Sequence, residues 1–183
     1  MSTERRIDAV LASSPPAFSE VEAVGLASEA FQVAAAGARN LGSERDQTFL
    51  LLDRNASPVA VLKVSNAAED PATLDMEALA VLHIGRVDPT LPVAVPRAAP
   101  GTSAPLDPTT RRVAVEGDGS RHWVRLYDVL PGGARAEASE LSDEAIVAWG
   151  ETSARLTRAL GGFFHPSMQR TMPWDVQHAL TCR

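Results

Sequence analysis

Lys63 and Glu77 are the residues whose types and spacing first suggest chemistry. Lys63 lies in Pro58-Val59-Ala60-Val61-Leu62-Lys63-Val64, where a period of two places Val59, Val61 and Lys63 on one face and Ala60, Leu62 and Val64 on the other. A lysine that interrupts an apolar strand face either snorkels from an edge to water or is held in a cleft to meet an anion. Glu77 shares a helical stripe with Leu74, Ala78, Val81 and Leu82. Its carboxylate either bridges helix and strand by pairing with Lys63 or lies on a solvated flank.

The elements that must position these two residues follow from local patterning. Leu50 to Leu52 and Val59 to Val64 favour strands, and Asp53 to Pro58 between them has the composition of a turn, so a β-hairpin is predicted. Asp70 as N-cap and Pro71 at the first helical position open the helix carrying Glu77. Upstream, Ala17 to Ala38 reads as a helix capped by Ser19 with Glu22 three residues on, with Val21, Val24, Ala27, Phe31 and Ala34 on one face and Gly37 at its end. Downstream, Arg112 to Glu116 and Arg121 to Val129 form a second hairpin across Gly117-Asp118-Gly119-Ser120. In its second strand Val124 and Leu126 face one way and Trp123, Arg125 and Tyr127 the other, with Trp123 read as a packing residue. Six of the thirteen prolines fall between Asp88 and Arg112, which excludes a long helix there and leaves a short strand near Val95 to Ala98 and a loop from Gly101 to Thr110. Ser142 caps a last helix with Asp143 and Glu144 in its first turn; Ile146, Trp149, Ser153, Leu156 and Leu160 form its expected buried seam, and Gly161-Gly162 its end. Trp174-Asp175 is expected to begin another helix.

Leu41-Gly42-Ser43-Glu44-Arg45-Asp46-Gln47, Val61-Leu62-Lys63-Val64-Ser65-Asn66, Val124-Arg125-Leu126 and Leu130-Pro131-Gly132 together resemble the aminoglycoside phosphotransferase and choline kinase superfamily. Within it the chain is most similar to hydroxylysine-kinase-like proteins and to the kinase-like domains sometimes fused to class III aminotransferases. The resemblance implies an α+β fold, the N-terminal lobe of a protein-kinase-like fold: a twisted antiparallel sheet with one packed helix, preceded by a helix and followed by the first helices of an incomplete large lobe. The corresponding division is 1–38 as helical extension, 39–131 as nucleotide-binding small lobe and 132–183 as the start of the large lobe. It also implies that Lys63, oriented by Glu77, meets the α- and β-phosphates of ATP. Ser43, Glu44, Arg45, Asp46 and Gln47 then form the phosphate-side loop, which residue types alone leave open between a nucleotide loop and an ordinary polar turn. Tyr127, Asp128, Val129 and Leu130 become the hinge that hydrogen-bonds adenine, with Val61 as an apolar roof, where the bland reading is a strand-ending turn. Thr48 departs from the asparagine expected after Gln47, a mild change.

A phosphotransferase of that superfamily needs an aspartate base in a His-x-Asp loop, an asparagine five residues on and a second aspartate for Mg²⁺. His83, His122, His165 and His178 are each followed two positions later by glycine, valine, serine and leucine, so no catalytic or metal-binding residue is assigned within the chain. The histidines are too dispersed to argue a metal site. Net charge −6, with no basic block longer than Arg5-Arg6 or Arg111-Arg112, argues against general nucleic-acid binding. Cys182 is the only cysteine, and no run approaches a membrane span, so a cytoplasmic protein is expected. Three classes remain: the ATP-binding part of a truncated small-molecule kinase acting on a hydroxyl, hydroxylysine-like by analogy, which is favoured; a non-catalytic nucleotide-binding module; and a partner-binding domain. On the first, the partners are nucleotide and, once a large lobe is supplied, a small-molecule acceptor, with self-association through exposed large-lobe helices.

Overall fold

The computed structural model describes residues 13–104, 106–132 and 141–169. Among them, β1 (Gly37–Asn40), β2 (Gln47–Leu52), β3 (Pro58–Val64), β4 (Val113–Gly117) and β5 (Ser120–Tyr127) form one antiparallel sheet in the order β1-β2-β3-β5-β4. Three α-helices accompany it: α1 (Glu20–Phe31), α2 (Pro71–Val87) and α3 (Asp143–Ala159). The fold is α+β, and both expected hairpins are present. The β4–β5 turn places Asp118 at φ 47° and Gly119 at φ 81°, two successive left-handed residues that suit a two-residue loop and that an Asp-Gly pair tolerates best.

Alternation builds the principal core. Phe49 and Leu51 of β2, Ala60, Leu62 and Val64 of β3, and Val124 and Leu126 of β5 point to one face of the sheet and are buried beneath Ala23, Ala27 and Phe31 of α1. Burial of each large side chain contributes about 1.5–3 kcal/mol. The helix starts as its residues direct: Ser19 Oγ accepts from Glu22 N–H (3.2 Å), and the Glu22 carboxylate accepts from Ser19 N–H (2.7 Å). It does not run to Ala38. Gln32 turns left-handed (φ 55°), Ala36 N–H donates to Leu52 O (2.7 Å), and Gly37–Asn40 pairs with β2, so ladder hydrogen bonds override the helix preference of the alanine-rich stretch. The buried stripe is also rotated from the expected one. Small Ala23 and Ala27 let the helix approach the sheet, and Val21 is 82% exposed.

Residues 13–18 lead into α1 as a strap that reaches the β4–β5 turn. Ala17 N–H donates to Asp118 Oδ2 (3.2 Å), and the Phe18 ring meets the His122 ring edge-on at 5.3 Å. A Cβ on Gly117 would lie 2.3 Å from the Phe18 ring, so only glycine fits there without moving that ring. Buried Asn66 fastens the strap from the other side: its Nδ2 donates to Ser14 O (3.1 Å) and Arg45 O (3.2 Å), and its Oδ1 accepts from Ser13 Oγ (2.8 Å).

Asp70 caps α2 by accepting from Ala72 N–H (3.0 Å), with Pro71 following as its first residue. Leu74 and Ala78 are buried, while Val81 and Leu82 are half-buried. The proline-rich segment gives no continuous strand at Val95 to Ala98, because Pro96 has no N–H to donate. It makes one bridge to Tyr127, with Arg97 N–H donating to Leu126 O (2.7 Å). A short 3₁₀ turn at Pro108–Arg111 ends the expected loop.

Ser142 caps α3 as its sequence requires, and Gly162 follows its end at φ 84°. The expected seam is only partly buried. Ala159 and half-buried Leu156 pack with Ile84 and Leu91 in a second small core, and Arg155 holds Asp88 through three hydrogen bonds (3.0, 2.8 and 2.7 Å). Ile146 and Trp149 are 52% and 65% exposed, because no described residue covers the first turns of α3. The helix expected at Trp174-Asp175 lies outside the described residues.

Candidate functional site

Strand register decides which side chains share a face. Lys63 lies opposite Arg125, and Val61 opposite Tyr127, across β3 and β5. Directly opposed residues project to the same side, so Val61, Lys63, Arg125 and Tyr127 form one patch, on the face away from the α1 core. Helix α2 lies on this side. Its Glu77 accepts from Arg125 Nη1 (2.7 Å), and its Asp75 is held by Arg112 through Nε (2.6 Å) and Nη2 (3.0 Å).

The expected Lys63–Glu77 pair is replaced by two others. Lys63 Nζ is 2.8 Å from Asp46 Oδ2, and Glu77 belongs to Arg125. Lys63 does face the side of α2, as the sequence predicts, but a second cation stands beside it. Arg125 is only 3% exposed, and a charge buried so deeply requires a counter-charge within reach. Glu77 supplies it. Lys63, 34% exposed at the side chain, takes the carboxylate of the neighbouring loop instead.

Asp46 is itself fixed, since its Oδ1 accepts from Asn66 N–H (2.9 Å) while Oδ2 faces Lys63. The same loop contains Gly42 at φ 73°, a left-handed position suited to glycine. Ser43 and Glu44 are exposed and Arg45 is half-buried. Gln47 is occupied elsewhere: its side chain accepts from Phe18 N–H (2.7 Å) and donates to Phe18 O (3.1 Å).

Electrostatics tie the patch together. Burial opposes charge on Arg125, yet Tyr127, ionised at the high pH where an arginine titrates, and the Glu77 carboxylate, with a contribution from Asp46, hold its pKa above the usual arginine value. Burial also pushes the Tyr127 phenol up; Arg125 works against this, and Glu77 and Asp46 reinforce it. A cleft of about 210 Å³ opens beside these groups, lined by Glu77, Ala78, Val81, Ala94, Pro96, Arg125 and Tyr127. Arg125 Nε is buried and makes no hydrogen bond in the structure. From Tyr127 the chain leaves the sheet through Asp128, paired with Arg97 Nε (2.8 Å), and through Val129 and Leu130, both more than one-third exposed. Among the described residues, no three His, Cys, Asp or Glu side chains converge to hold a metal ion.

Two partnerships escaped sequence reasoning, Asp46 with Lys63 and Arg125 with Glu77. Both had a signal. Arg125 interrupts the face of β5 as Lys63 interrupts that of β3, and Lys63 is the only lysine among seventeen Lys and Arg residues. A chain that uses arginine everywhere else has a compact, single-point ammonium at this position, where a guanidinium would demand planar, forked partners.

The fold has counterparts among solved structures. An amicoumacin kinase, solved with AMP-PNP, Ca²⁺ and Ami, matches 95% of this chain and 48% of its own, with a TM-score of 0.64 and 13% identity. A microcompartment-associated aminopropanol kinase matches 87% of this chain and 46% of its own, with a TM-score of 0.57 and 20% identity. Both belong to the aminoglycoside phosphotransferase and choline kinase-like superfamily. The fold matches the N-terminal lobe of a kinase-like fold. The kinase-like lobe accounts for the five-stranded sheet, and the chain spans about half the length of either kinase. No protein-family model and no curated protein matches it.

Proposed function

We propose that this chain is the nucleotide-binding part of a small-molecule phosphotransferase, one that moves the γ-phosphate of ATP to an acceptor hydroxyl, with a hydroxylysine-like amino alcohol as the acceptor by analogy. The observation that carries the reading is the placement of Lys63 on the α2 side of a kinase-like sheet, paired with Asp46 of the loop 41–46 and opposite Arg125, which lines the cleft beside Tyr127. Lys63 donates to phosphate oxygens, which its short, three-donor ammonium can follow as they shift. Ser43 contributes a hydroxyl, and residues 43–47 contribute backbone N–H groups to the same phosphates. The adenine edge meets the backbone of Tyr127 to Leu130, under Val61.

The likeness to a kinase solved with AMP-PNP supports nucleotide as the ligand, and the unpaired, buried Arg125 Nε beside the cleft fits an anionic or acceptor-rich guest. Among the described residues, no three His, Cys, Asp or Glu side chains converge to hold Mg²⁺. Binding is therefore proposed for this chain, and transfer for a protein that also supplies an aspartate base and metal ligands.

Calorimetric titration with ATP tests the first part. Lys63→Ala is expected to weaken binding on the order of tenfold, the scale of a lost charge-assisted hydrogen bond, while its melting temperature stays within a few degrees of the parent. Equal affinity in parent and variant overturns the reading.

A further inference from the structure

In this lobe the strand lysine already holds an anion. Lys63 Nζ and Asp46 Oδ2 are 2.8 Å apart, the Asp46 side chain is 19% exposed, and Asn66 N–H pins the other carboxylate oxygen at 2.9 Å. Glu77 cannot relieve Asp46 of this role, because Arg125 takes it at 2.7 Å. An ammonium has three donors and could serve two anions at once, but a phosphate brought beside Asp46 would set like charges against each other at close range. We infer that Asp46 is a resident counter-ion which nucleotide phosphate must displace from Lys63, so that the loop 41–46 restrains the site against anions until a polyphosphate binds. The inference rests on the nucleotide reading above and adds its regulation.

The physical case is one of competing partners. Asp46 compensates Lys63 when no ligand is present, which lets the lysine sit on a half-apolar strand face between Val61 and the buried end of β3. A single phosphate replaces one carboxylate with one anion and gains little. A triphosphate brings several oxygens, reaching both Lys63 and the N–H groups of residues 43–47, and so outcompetes a carboxylate held by one backbone hydrogen bond. The site should therefore discriminate by phosphate number, with Asp46 setting the threshold.

Asp46→Asn separates this from simpler accounts, because the amide keeps an acceptor for Asn66 N–H and removes the charge. Four proteins are compared by ATP and AMP titration: parent, Asp46→Asn, Lys63→Ala and the double variant. Asp46→Asn is expected to tighten ATP binding about three- to tenfold, the scale of a released, partly exposed ion pair, and to tighten AMP by a similar or larger factor, narrowing the preference for ATP. In the Lys63→Ala background the same substitution should change nothing. A gain that persists without Lys63 shows general charge repulsion and overturns the proposal, as does no gain at all in a folded Asp46→Asn protein.

A readout without nucleotide keeps the two readings distinct. Because Lys63 is the only lysine, reductive labelling with pyridoxal phosphate, followed by peptide mass measurement, reports its availability directly. Asp46→Asn should accelerate labelling several-fold, and ATP should protect. Acceleration without ATP protection overturns the nucleotide reading and the displacement inference with it. Protection without acceleration leaves the nucleotide reading standing and removes Asp46 as the counter-ion.

Discussion

On the α1 side of the sheet, Phe49, Leu51, Ala60, Leu62, Val64, Val124 and Leu126 are fully sealed; on the α2 side, Arg125 and Arg112 meet the helix through charge, at Glu77 and Asp75. The same strands supply both faces, since adjacent residues point in opposite directions. Their attachments differ in kind. α1 brings Ala23, Ala27 and Phe31 down onto the apolar face, whereas Glu77 and Asp75 tether α2 to Arg125 and Arg112. Close-packed apolar contact resists small displacements, because each ångström of separation forfeits dispersion and admits voids. Long ion-paired side chains tolerate a shift of their helix by pivoting. The apolar face thus fixes the lobe, and the charged face is the one that can accommodate a guest.

Substitutions on the two faces should separate these roles, most strongly on the apolar one. Leu62→Ala removes a fully buried side chain and should cost about 2–5 kcal/mol in urea unfolding, whatever ligand is present. A loss below about 1 kcal/mol would mean that the α1 face is not the close-packed layer described. Arg125→Met comes next, with an expected loss of about 1–2 kcal/mol, because Glu77 is half-exposed and recovers part of its hydration when left alone. Its distinguishing effect is local: amide exchange should accelerate along α2 while β2, β3 and α1 stay protected. Uniform acceleration across both faces would erase the contrast. Smallest in stability is Trp149→Ala on α3, within about 0.5 kcal/mol of the parent for so exposed a side chain, but with reduced self-association in sedimentation velocity. Unchanged association would remove the exposed α3 face as a contact surface.

Much of this arrangement is legible in the amino-acid sequence. Period-two alternation across Val59 to Val64 and Val124 to Tyr127 separates the two faces, Asp118-Gly119 marks its hairpin, and Ser19 with Glu22 and Asp70 with Pro71 start two helices. These signals lie within a few residues of the structures they specify. What stayed hidden depends on distant pairing. The end of α1 is decided by β1 pairing with β2, which a local reading of Ala34 to Ala38 cannot weigh. The partner of Glu77 is decided by β5 lying beside β3 in a register that sets Arg125 next to Lys63. Either cation suits a carboxylate by residue type alone, and only the depth at which each is buried separates them.

The strap of residues 13–18 bears on the order of events while the chain is being made. Ala17 precedes its partner Asp118 by 101 residues, and Phe18 fits against Gly117 and His122 of the same turn. At roughly 5–20 residues per second, the anchorage of this segment trails its own synthesis by about 5–20 seconds. Ribosomal passage thus leaves Phe18 without its aromatic neighbour throughout the time in which β1, β2, β3 and α2 emerge. The last hairpin among the described residues closes their first segment, and with it one of the longest loops between them, at an entropic cost that grows only slowly with loop length.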